Sequence, residues 1–458
     1  MKFQYSILSI FTLVALSFLF VSCGKESLNS RLSKQLDQND ITTVDLLQTV
    51  LNSTDRFMAT DAYYGRYAIL IGELRSDNCV ANGASSPFPL YEEYNFGEIN
   101  AELSDPEILW ENAYRAIAAA NLVISLENKK LDGDPDRQKR IVGQAYALRA
   151  LIHYDLLRFF GALHVTDSET GIPYITTYPA ADFSPARTPI DAIKTQLNKD
   201  LDLALLMLKE DPEPSKIYMS FYAAHVLRAH IALWFEEWEK ALESTTIVTE
   251  SDQFQIVDKD KCIASWHNKL NENSIFELSI TTEATQNQML LASVYQSPFA
   301  GNVSATQELK DLFTPSDVRG DARMIETNEA LKERLTSPGK NLSTYLANLR
   351  KHTDYIRNTD NIVFMRIEEV VLMKAEALFR FGRDAEALAA LNQIANARGA
   401  IAHTVVNEDE ILLERQKELC FEGLRFDDLA RFKRSVPPCA PIGDLTKEAY
   451  EYSTNLFA

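Results

Sequence analysis

Cysteine is scarce and scattered in this sequence of 458 residues, which contains five cysteines in all. Apart from Cys23 near the start, they lie far from one another, at Cys79, Cys262, Cys420 and Cys439. That spacing is not the spacing of a zinc ribbon or of a C-x-x-C redox motif. Buried thiols are the favoured interpretation, above all for Cys420, and a single disulfide without a named pair stays open for an oxidising compartment.

Motifs that mark common enzyme classes are also missing. The sequence has no H-E-x-x-H, G-x-S-x-G, G-x-G-x-x-G or G-x-x-x-x-G-K. Its seven histidines are dispersed, and His153, His225 and His230 fall in helical stretches where packing or hydrogen bonding is the favoured role. A glycoside hydrolase needs only two suitably spaced carboxylates, which 65 acidic residues leave open but nothing else supports. We therefore expect a protein without catalysis, cofactor or metal.

Positive charge is in short supply as well. Lysine and arginine number 46 against 65 aspartates and glutamates, which gives a formal net charge of -19. No long basic stripe offsets this acidity, and a nucleic-acid partner is disfavoured because a phosphate backbone needs a basic footprint. A hydrophobic content of 46% is ordinary for a folded chain, and the length suggests roughly two or three domain-sized units.

Long apolar runs are confined to the N-terminus, and no later stretch approaches the roughly 20 apolar residues of a membrane span. A short basic start precedes an uncharged apolar run over residues 6–21, which ends just before Cys23. This order is typical of an export signal, and a cysteine after a small residue resembles a bacterial lipobox. We expect residues 1–22 to be a signal peptide, Cys23 to be acylated and residues 23–40 to form a polar tether. An uncleaved membrane anchor is the alternative.

Apolar residues recur at helical spacing through much of the remaining chain. The sequence Ser-Asp-Pro-Glu at 104–107 has the form of a capping box and precedes a predicted helix over 108–128. Further helices are predicted over residues 137–160, which Gly161 ends, over 192–208, which Thr188 caps, and over 364–381.

A faint internal repeat indicates how these helices pair. Residues 229–243 align without gaps on residues 375–389, and in each copy a helix rich in small residues reaches a turn and re-enters through an Ala-Leu pair. Small residues let paired helices approach closely, as tetratricopeptide-type hairpins require. We predict a mainly α fold in which about four such hairpins form one half, beside an irregular, loop-rich half. An irregular helical array of no repeat family is the alternative.

Two stretches break the helical pattern. Residues 73–103 contain two glycines and two prolines, which preclude one long helix. Residues 255–350 are richer in Ser, Thr, Asn and Gln, and within them residues 274–280 alternate in the manner of a short strand. Long structured loops are more often functional than decorative.

The charged stretch 414–434 reads as one helix near the C-terminus. Glu418, Glu422 and Arg425 fall at successive i+4 and i+3 steps, so they project from one face, although Gly423 lowers the helix propensity. Two carboxylates four residues apart repel each other unless a cation lies between them, and nearby arginines can provide it. A structural ion-pair cluster is therefore favoured over a general acid/base pair.

Several sequence blocks occur in a set order along the chain. They are W-x-x-x-Y-x-x-I-x-x-x-N at 110–121, Q-A-Y-A-L-R-A-x-x-x-Y at 144–154, L-R-F-F-G-x-L at 157–163, N-I-V-F-M-R-I-E-E-V-V-L-M-K-A-E-A-L at 361–378, A-L-x-x-L-N-x-I-x-x-x-R at 387–398 and E-L-x-F-E-G-x-R-x-x-D-L-x-R at 418–431. Together with the acylation site, these blocks closely resemble the SusD/RagB family of outer-membrane nutrient-binding lipoproteins. Gln144 and Tyr146 depart from the more acidic pattern that is usual there.

This resemblance implies a role in nutrient uptake at the cell surface. Members of the family pair with a SusC-like TonB-dependent outer-membrane transporter and present glycan, or sometimes peptide, oligomers to it. Their helical repeats pack mainly toward the channel, while the irregular half faces the ligand. The implied division is an N-terminal helical region at 41–254 with its loop at 73–103, a ligand-facing insertion at 255–350 and a C-terminal helical region at 351–458.

Ligand-binding candidates follow from this division. Sugar faces stack on aromatic rings, while amides, carboxylates and arginines orient the hydroxyl groups. Residues of these types in the two irregular stretches are Trp266, Tyr295, Tyr91, Arg75, Asp77 and Asn78. Trp266 is the first choice, because the other three tryptophans lie in predicted helices. The alternatives are a lipid-anchored helical-repeat scaffold for envelope assembly and a glycan hydrolase.

Overall fold

The structure is a computed structural model. It describes residues 38–81, 104–162, 171–178, 185–209, 215–280, 290–297, 303–321, 324–327, 346–357, 359–442 and 445–447. The expected signal peptide, the expected acylation site Cys23 and most of the expected tether lie outside the described residues, as does Tyr91. The chain divides into residues 1–42 and 43–458. Within the first unit, residues 38–40 form a turn, and all that follows concerns the second.

Helices dominate the described chain. They are α1 (Val44–Met58), α2 (Tyr67–Leu74), α3 (Ser104–Ser125), α4 (Pro135–Phe160), α5 (Ile190–Leu208), α6 (Phe221–Trp234), α7 (Trp238–Thr249), α8 (Lys259–Ser265), α9 (Leu291–Gln296), α10 (Gln307–Asp311), α11 (Val318–Asp321), α12 (Ile367–Arg380), α13 (Asp384–Ala397), α14 (Glu408–Leu419) and α15 (Arg425–Arg431). The strands are β1 (Cys79–Ala81), β2 (Ser274–Leu278), β3 (Val303–Ala305), β4 (Ile325–Thr327), β5 (Leu346–Asn348), β6 (Ile362–Arg366), β7 (Cys439–Ile442) and β8 (Leu445–Lys447).

The long helices pack in pairs. In the described chain α1 packs on α3, α4 on α5, α6 on α7 and α12 on α13. Successive pairs are joined by contacts of α3 with α4, α5 with α6 and α7 with α12. The last pair thus stacks on the third although a long segment of chain separates them. This arrangement confirms the predicted mainly α fold with stacked tetratricopeptide-like hairpins.

The internal repeat coincides with the third and fourth pairs. In each, a turn of three residues joins the two helices at aligned positions. The middle residue of each turn has a positive φ, 58° at Glu236 and 69° at Gly382. The aligned Ala241 and Ala387 are both fully buried, as expected for small residues that let paired helices approach closely.

The longest of the described helices is α4, and its ends follow from its sequence. Asp134 caps its start by accepting a hydrogen bond from the Asp136 N–H at 2.9 Å, and Pro135 stands in the first turn. The helix ends at Gly161, as predicted. Within it, Arg149 donates two hydrogen bonds of 2.7 Å to the buried carboxylate of Asp200 on α5, which satisfies both charges inside the helical stack.

Two predicted helix starts were wrong. Residues 364–366 belong to β6 and not to the helix that follows, because Ile362–Arg366 pairs antiparallel with β2. Thr188 does not cap α5, since Pro189 holds that position without a side-chain hydrogen bond. The Thr188 hydroxyl instead accepts a hydrogen bond from the Tyr174 N–H at 3.1 Å and ties the connector between α4 and α5 together.

The charged stretch 414–434 was also wrongly predicted as one helix. It is broken between α14 and α15, where Phe421 has a φ of 68° and Gly423 a φ of 82°. An added Cβ at Gly423 would lie 2.8 Å from the Cα of Ile69 in α2. Glycine is therefore required here both for its left-handed backbone and for the close approach of α2.

Short strands connect distant parts of the chain. β1, β3, β5 and β4 form one antiparallel sheet in that order, β2 pairs with β6, and β7 pairs with β8. The predicted strand at 274–280 is present as β2, but all five of its residues are buried. Both faces of β2 are thus covered, so the alternation of apolar and polar residues along this strand does not correspond to one exposed face.

The described cysteines Cys79, Cys262, Cys420 and Cys439 are all buried free thiols, which agrees with the interpretation favoured from their spacing.

None of the described helices is both long enough and apolar enough to cross a membrane. Among the described residues there is also no cluster of histidine, cysteine and acidic side chains arranged to hold a metal ion.

Candidate functional site

Trp266 stands directly after α8 and is half-buried. Its ring lies close to two cations, with Lys351 Nζ 4.8 Å and Arg366 Cζ 5.6 Å from the ring centroid. The ring of His352 meets it edge-on at a centroid distance of 5.7 Å. These contacts hold the indole in place through cation–π and edge-to-face attraction while part of its surface remains accessible.

Beside Trp266 lies a loop with many internal hydrogen bonds, described at residues 353–357, 359 and 360. Asp360 accepts hydrogen bonds of 2.7 Å from the N–H groups of Thr353 and Asp354. Asp354 in turn accepts a 2.6 Å hydrogen bond from the Thr359 hydroxyl. Although burial alone would raise the pKa of Asp354, hydrogen bonds from the Thr359 hydroxyl and from the N–H groups of Arg357 and Thr359, together with the charge of Arg357, hold that pKa below its ordinary value. The Thr353 hydroxyl lies 2.9 Å from His267 Nδ1, which links the loop to the residue after Trp266.

Two residues of this region have a left-handed backbone that is unfavourable for side chains of their kind. Leu270 and His352 both have a φ of 56°, a conformation that persists only where neighbouring contacts enforce it. At Leu270 the N–H donates a 2.8 Å hydrogen bond to Glu277. The other carboxylate oxygen of Glu277 accepts a 2.9 Å hydrogen bond from Asn361. One buried carboxylate thus connects both segments that flank Trp266.

Behind Trp266, Arg366 joins the two glutamates singled out from the sequence. It donates to Glu418 at 2.7 Å and to both carboxylate oxygens of Glu422, at 2.9 and 2.7 Å. Lys351 donates a further hydrogen bond of 2.6 Å to Glu422. The cations that contact the Trp266 ring are therefore themselves fixed by Glu418, which is buried, and by Glu422, whose side chain is 8% exposed, as a rigid binding platform requires.

Glu418 and Glu422 are held as anions. Burial alone would raise the pKa of Glu418, but Arg398, Arg366 and Arg319 outweigh it and hold that pKa well below its ordinary value. Burial is likewise outweighed at Glu422, where Arg366 and Lys351 lower the pKa. A general acid must carry a proton near neutral pH, so this geometry fits the ion-pair cluster favoured from the sequence and not an acid/base pair.

Arg75, Asp77 and Asn78 lie inside the protein. Asp77 accepts two hydrogen bonds from Arg425, at 2.7 and 2.8 Å. Asn78 donates to Glu73 at 2.9 Å, and Gln416 donates to Asn78 at 3.0 Å. The guanidinium of Arg75 lies 3.9 Å from the centroid of the Phe426 ring. These contacts join the start of β1 to α14 and α15, and they favour a structural role over the predicted ligand contact.

Tyr295 is buried as well, with 1% of its surface exposed. Its ring meets Phe421 edge-on at 5.4 Å and stacks beside His352 at 6.4 Å. It therefore supports the residues behind Trp266, and a direct ligand contact does not fit this burial.

Comparison with known proteins agrees with this architecture. Residues 30–233 match the family model described as "Starch-binding associating with outer membrane", and residues 325–456 match the model of the SusD family. Together these two segments make up more than half of the chain. The chain belongs to the SusD/RagB family.

Individual relatives of this SusD/RagB protein are distant but match over most of their length. SusD-like protein P38 of Formosa agariphila is 25% identical over 433 residues, which cover 82% of either chain. The structure of a putative sugar binding protein from Bacteroides vulgatus superposes with a TM-score of 0.78 at 21% identity, covering 90% of this chain and 93% of that one. A laminarin binding SusD-like protein superposes with a TM-score of 0.70 at 22% identity, covering 85% and 92%. These structures share the fold.

The sequence did not identify several residues that build the surroundings of Trp266 in this SusD/RagB protein. Thr353, Asp360 and Glu277 were not among the candidates, although the segment at 352–361, His-Thr-Asp-Tyr-Ile-Arg-Asn-Thr-Asp-Asn, has the composition of a tightly hydrogen-bonded loop. That signal was available in the sequence. Nothing in the sequence placed this segment beside Trp266, because about 90 residues separate them.

Proposed function

We propose that this SusD/RagB protein is a lipid-anchored, surface-exposed outer-membrane protein that binds oligosaccharides and passes them to a SusC-like TonB-dependent transporter. On this proposal it is a binding protein without catalytic activity. The lipid on Cys23 would hold it to the membrane, and neither a cofactor nor a nucleic acid takes part.

The geometry around Trp266 carries this proposal. A half-buried indole braced by Lys351, Arg366 and His352 is a rigid aromatic surface of the kind on which a sugar ring stacks. The adjoining loop, at residues 353–357, 359 and 360, offers threonine, aspartate and arginine side chains to orient hydroxyl groups. The names of two proteins with this fold, a putative sugar binding protein and a laminarin binding protein, support the same ligand class.

A glycan hydrolase receives less support. Glu418 and Glu422, the two carboxylates four positions apart in the sequence, take part in ion pairs that hold them as anions. Neither can donate a proton to a leaving group, as the general acid of a hydrolase must. A scaffold without a small ligand would not need the strained, cross-linked backbone on either side of Trp266.

The test is binding to a panel of glycans and peptides, with laminarin as the first probe. We expect titration calorimetry to detect a glycan, and Trp266→Ala to weaken that glycan's affinity by roughly tenfold or more. Phe381→Ala is the matched control, because Phe381 is an exposed aromatic in the turn between α12 and α13. Binding of peptides alone, or equal affinity in Trp266→Ala, would contradict this assignment. Prolonged incubation should release no glycan products.

The membrane part of the proposal has its own test. Cells that express the protein should incorporate labelled fatty acid into it, and Cys23→Ala should abolish that labelling. Persistent labelling of Cys23→Ala would refute the lipid anchor, as would recovery of the native protein free in the periplasm. Co-purification of a TonB-dependent transporter with the wild type from detergent-solubilised outer membranes would support the partner.

A further inference from the structure

The loop between α13 and α14 is fastened to the protein through one histidine. The His403 N–H donates a 2.8 Å hydrogen bond to the Asn392 side-chain oxygen, and the Asn392 amide donates one of 3.0 Å to the His403 carbonyl oxygen. The two ring nitrogens of His403 lie beside carboxylates of α14. Within the described part of the chain, every hydrogen bond of residues 401–406 involves His403. The attachment of this loop therefore depends on that residue.

Each ring nitrogen of His403 faces its own carboxylate. Nδ1 lies 2.6 Å from Glu410 Oε2, and Nε2 lies 3.1 Å from Glu414 Oε2. An ionised carboxylate accepts hydrogen bonds but donates none, and both nitrogens of an imidazole carry a proton only in the cationic form. A neutral ring, of which 5% is exposed here, would direct the lone pair of one nitrogen at an anion. This geometry therefore requires the imidazolium ion.

The charges around the ring favour the same protonation state. They come from α14 and from the start of α11, whereas α13 contributes the neutral Asn392. The charged residues are Glu410, Glu414, Lys417, Asp317 and Arg319. Although burial alone would lower the pKa of His403, the hydrogen bonds and charges of Glu414 and Glu410 outweigh it and raise that pKa above its ordinary value of 6.5.

The loop covers part of an apolar cluster. Val406 packs against the buried side chains of Ile411, Leu412 and Phe432. Earlier in the loop, Ile401 is 71% exposed and Val405 is 52% exposed. Because exposed apolar side chains bury little surface, they contribute little to holding the loop in place. The polar contacts of His403 hold the part of the loop that apolar packing does not.

We propose that residues 401–406 form a pH-sensitive latch, which His403 closes as an imidazolium ion and which opens when that ring loses its proton in alkaline solution. The folded chain holds this proton more tightly than the unfolded chain. The latch therefore contributes its full stability below about pH 6.5 and loses it as the pH rises through the folded value. Opening lifts Val406 and uncovers Ile411 and Phe432. The latch does not depend on the function proposed for Trp266.

NMR of the protein with 13C-labelled histidine rings measures the protonation of His403, whose resonance is assigned by its disappearance in His403→Gln. We expect its titration midpoint to lie above 6.5. Glu410→Gln removes one facing charge and should lower that midpoint. Asp409→Asn is the matched control, since Asp409 lies in the same turn but pairs with Arg434, and it should leave the midpoint unchanged. A wild-type midpoint at or below 6.5, or an unchanged one in Glu410→Gln, would overturn the proposal.

Hydrogen exchange shows whether the loop opens. Between about pH 6.5 and pH 9, the protection of the loop amides relative to their intrinsic exchange rate should fall at least about tenfold in the wild type, while α4 stays protected. His403→Gln should be weakly protected at both pH values. Glu410→Gln should lose protection at a lower pH than the wild type, which keeps the test decisive if His403→Gln does not fold. Equal wild-type protection at both pH values, or full protection of His403→Gln, would refute the latch.

Discussion

Gly72 in α2 and Gly423 after α14 touch through their backbones, so that a Cβ built on Gly72 would stand 2.0 Å from the Gly423 carbonyl oxygen. The contact joins residues about 350 positions apart. It brings the segment before β1 against the turn that carries Glu422, which in turn binds the cations that contact the Trp266 ring. The absence of two side chains therefore helps to position the candidate site.

Gly72→Ala should destabilise the protein by about 2–3 kcal/mol, because the new methyl group meets backbone atoms that cannot move aside. Gly382→Ala is the control: its φ of 69° makes alanine unfavourable, but no atom lies within 4 Å of the added methyl group. That change should cost only about 1 kcal/mol of backbone strain. Urea denaturation of both variants measures the difference, and equal midpoints would contradict the close approach.

Arg398→Met should be among the more destabilising single changes in the ion-pair network. Arg398 is 2% exposed and donates to Glu418 at 3.0 and 2.8 Å and to Glu368 at 3.0 Å. Removing it takes one of three arginines from the buried Glu418 and one of two from the buried Glu368, and breaking such a buried network costs about 3–5 kcal/mol. The control is Arg383→Met, whose partner Glu386 is exposed and whose loss should have little effect. A free energy of unfolding within about 1 kcal/mol of the wild type in Arg398→Met would contradict this.

Sequence patterns predicted the paired helices better than the buried polar contacts. The repeat at 229–243 and 375–389 could be recognised because hairpin packing demands small residues at fixed positions, here Ala241 and Ala387. Its turn residue was not predictable in the same way. Gly382 suits a positive φ, but Glu236 adopts one at the aligned position because the surrounding hairpin overrides its own preference.

The ligand-binding candidates also show that a local sequence pattern does not reveal buried contacts between distant residues. Asp77 and Asn78 read as surface residues because their neighbours in the sequence are polar. Their partners Arg425 and Gln416 lie about 340 residues later, and no local pattern reveals a contact over that separation. Trp266 was chosen by eliminating the other tryptophans, whereas the cations Lys351 and Arg366 that contact it became evident only from the fold.

Stability should fall as the pH drops below about 6.5, in part because of His153. The His153 ring is buried between the Arg149 carbonyl oxygen and the Ile175 N–H, and burial lowers its pKa from 6.5 to about 3. The unfolded chain therefore takes up a proton near pH 6.5 that the folded chain refuses until about pH 3. Each such group lowers the free energy of unfolding by about 1.4 kcal/mol per pH unit across that window.

Urea denaturation between about pH 8 and pH 5 measures this slope. His153→Gln keeps an acceptor for the Ile175 N–H but cannot titrate, so its stability should depend less steeply on pH than that of the wild type. Below about pH 4.5 the free energy of unfolding falls for a second reason. Arg319 and the hydrogen bond from His403 outweigh the effect of burial and lower the pKa of Glu414 to about 2. Identical slopes for wild type and His153→Gln would show that this histidine is not buried as described.

Glu277→Gln should displace the Trp266 platform, by which we mean the Trp266 ring with Lys351, Arg366 and His352 that contact it. The fold itself should change less. Both oxygens of this buried carboxylate accept hydrogen bonds, from the Leu270 N–H at 2.8 Å and from the Asn361 amide at 2.9 Å. A carboxamide turns an N–H toward one of these donors. Leu270, whose φ of 56° is held by its hydrogen bond, would then relax and shift the segment that carries Trp266. We expect a stability loss of about 1–3 kcal/mol.

The decisive measurement for Glu277→Gln is the indole N–H resonance of Trp266, assigned by its disappearance in Trp266→Phe. It should shift or broaden in Glu277→Gln, and any glycan found in the panel should bind roughly tenfold more weakly. Glu272→Gln is the matched control, since Glu272 lies in the same segment but pairs with Lys261 at the surface. An unchanged Trp266 resonance in Glu277→Gln, with unchanged glycan affinity, would mean that this carboxylate stabilises the interior without positioning the platform.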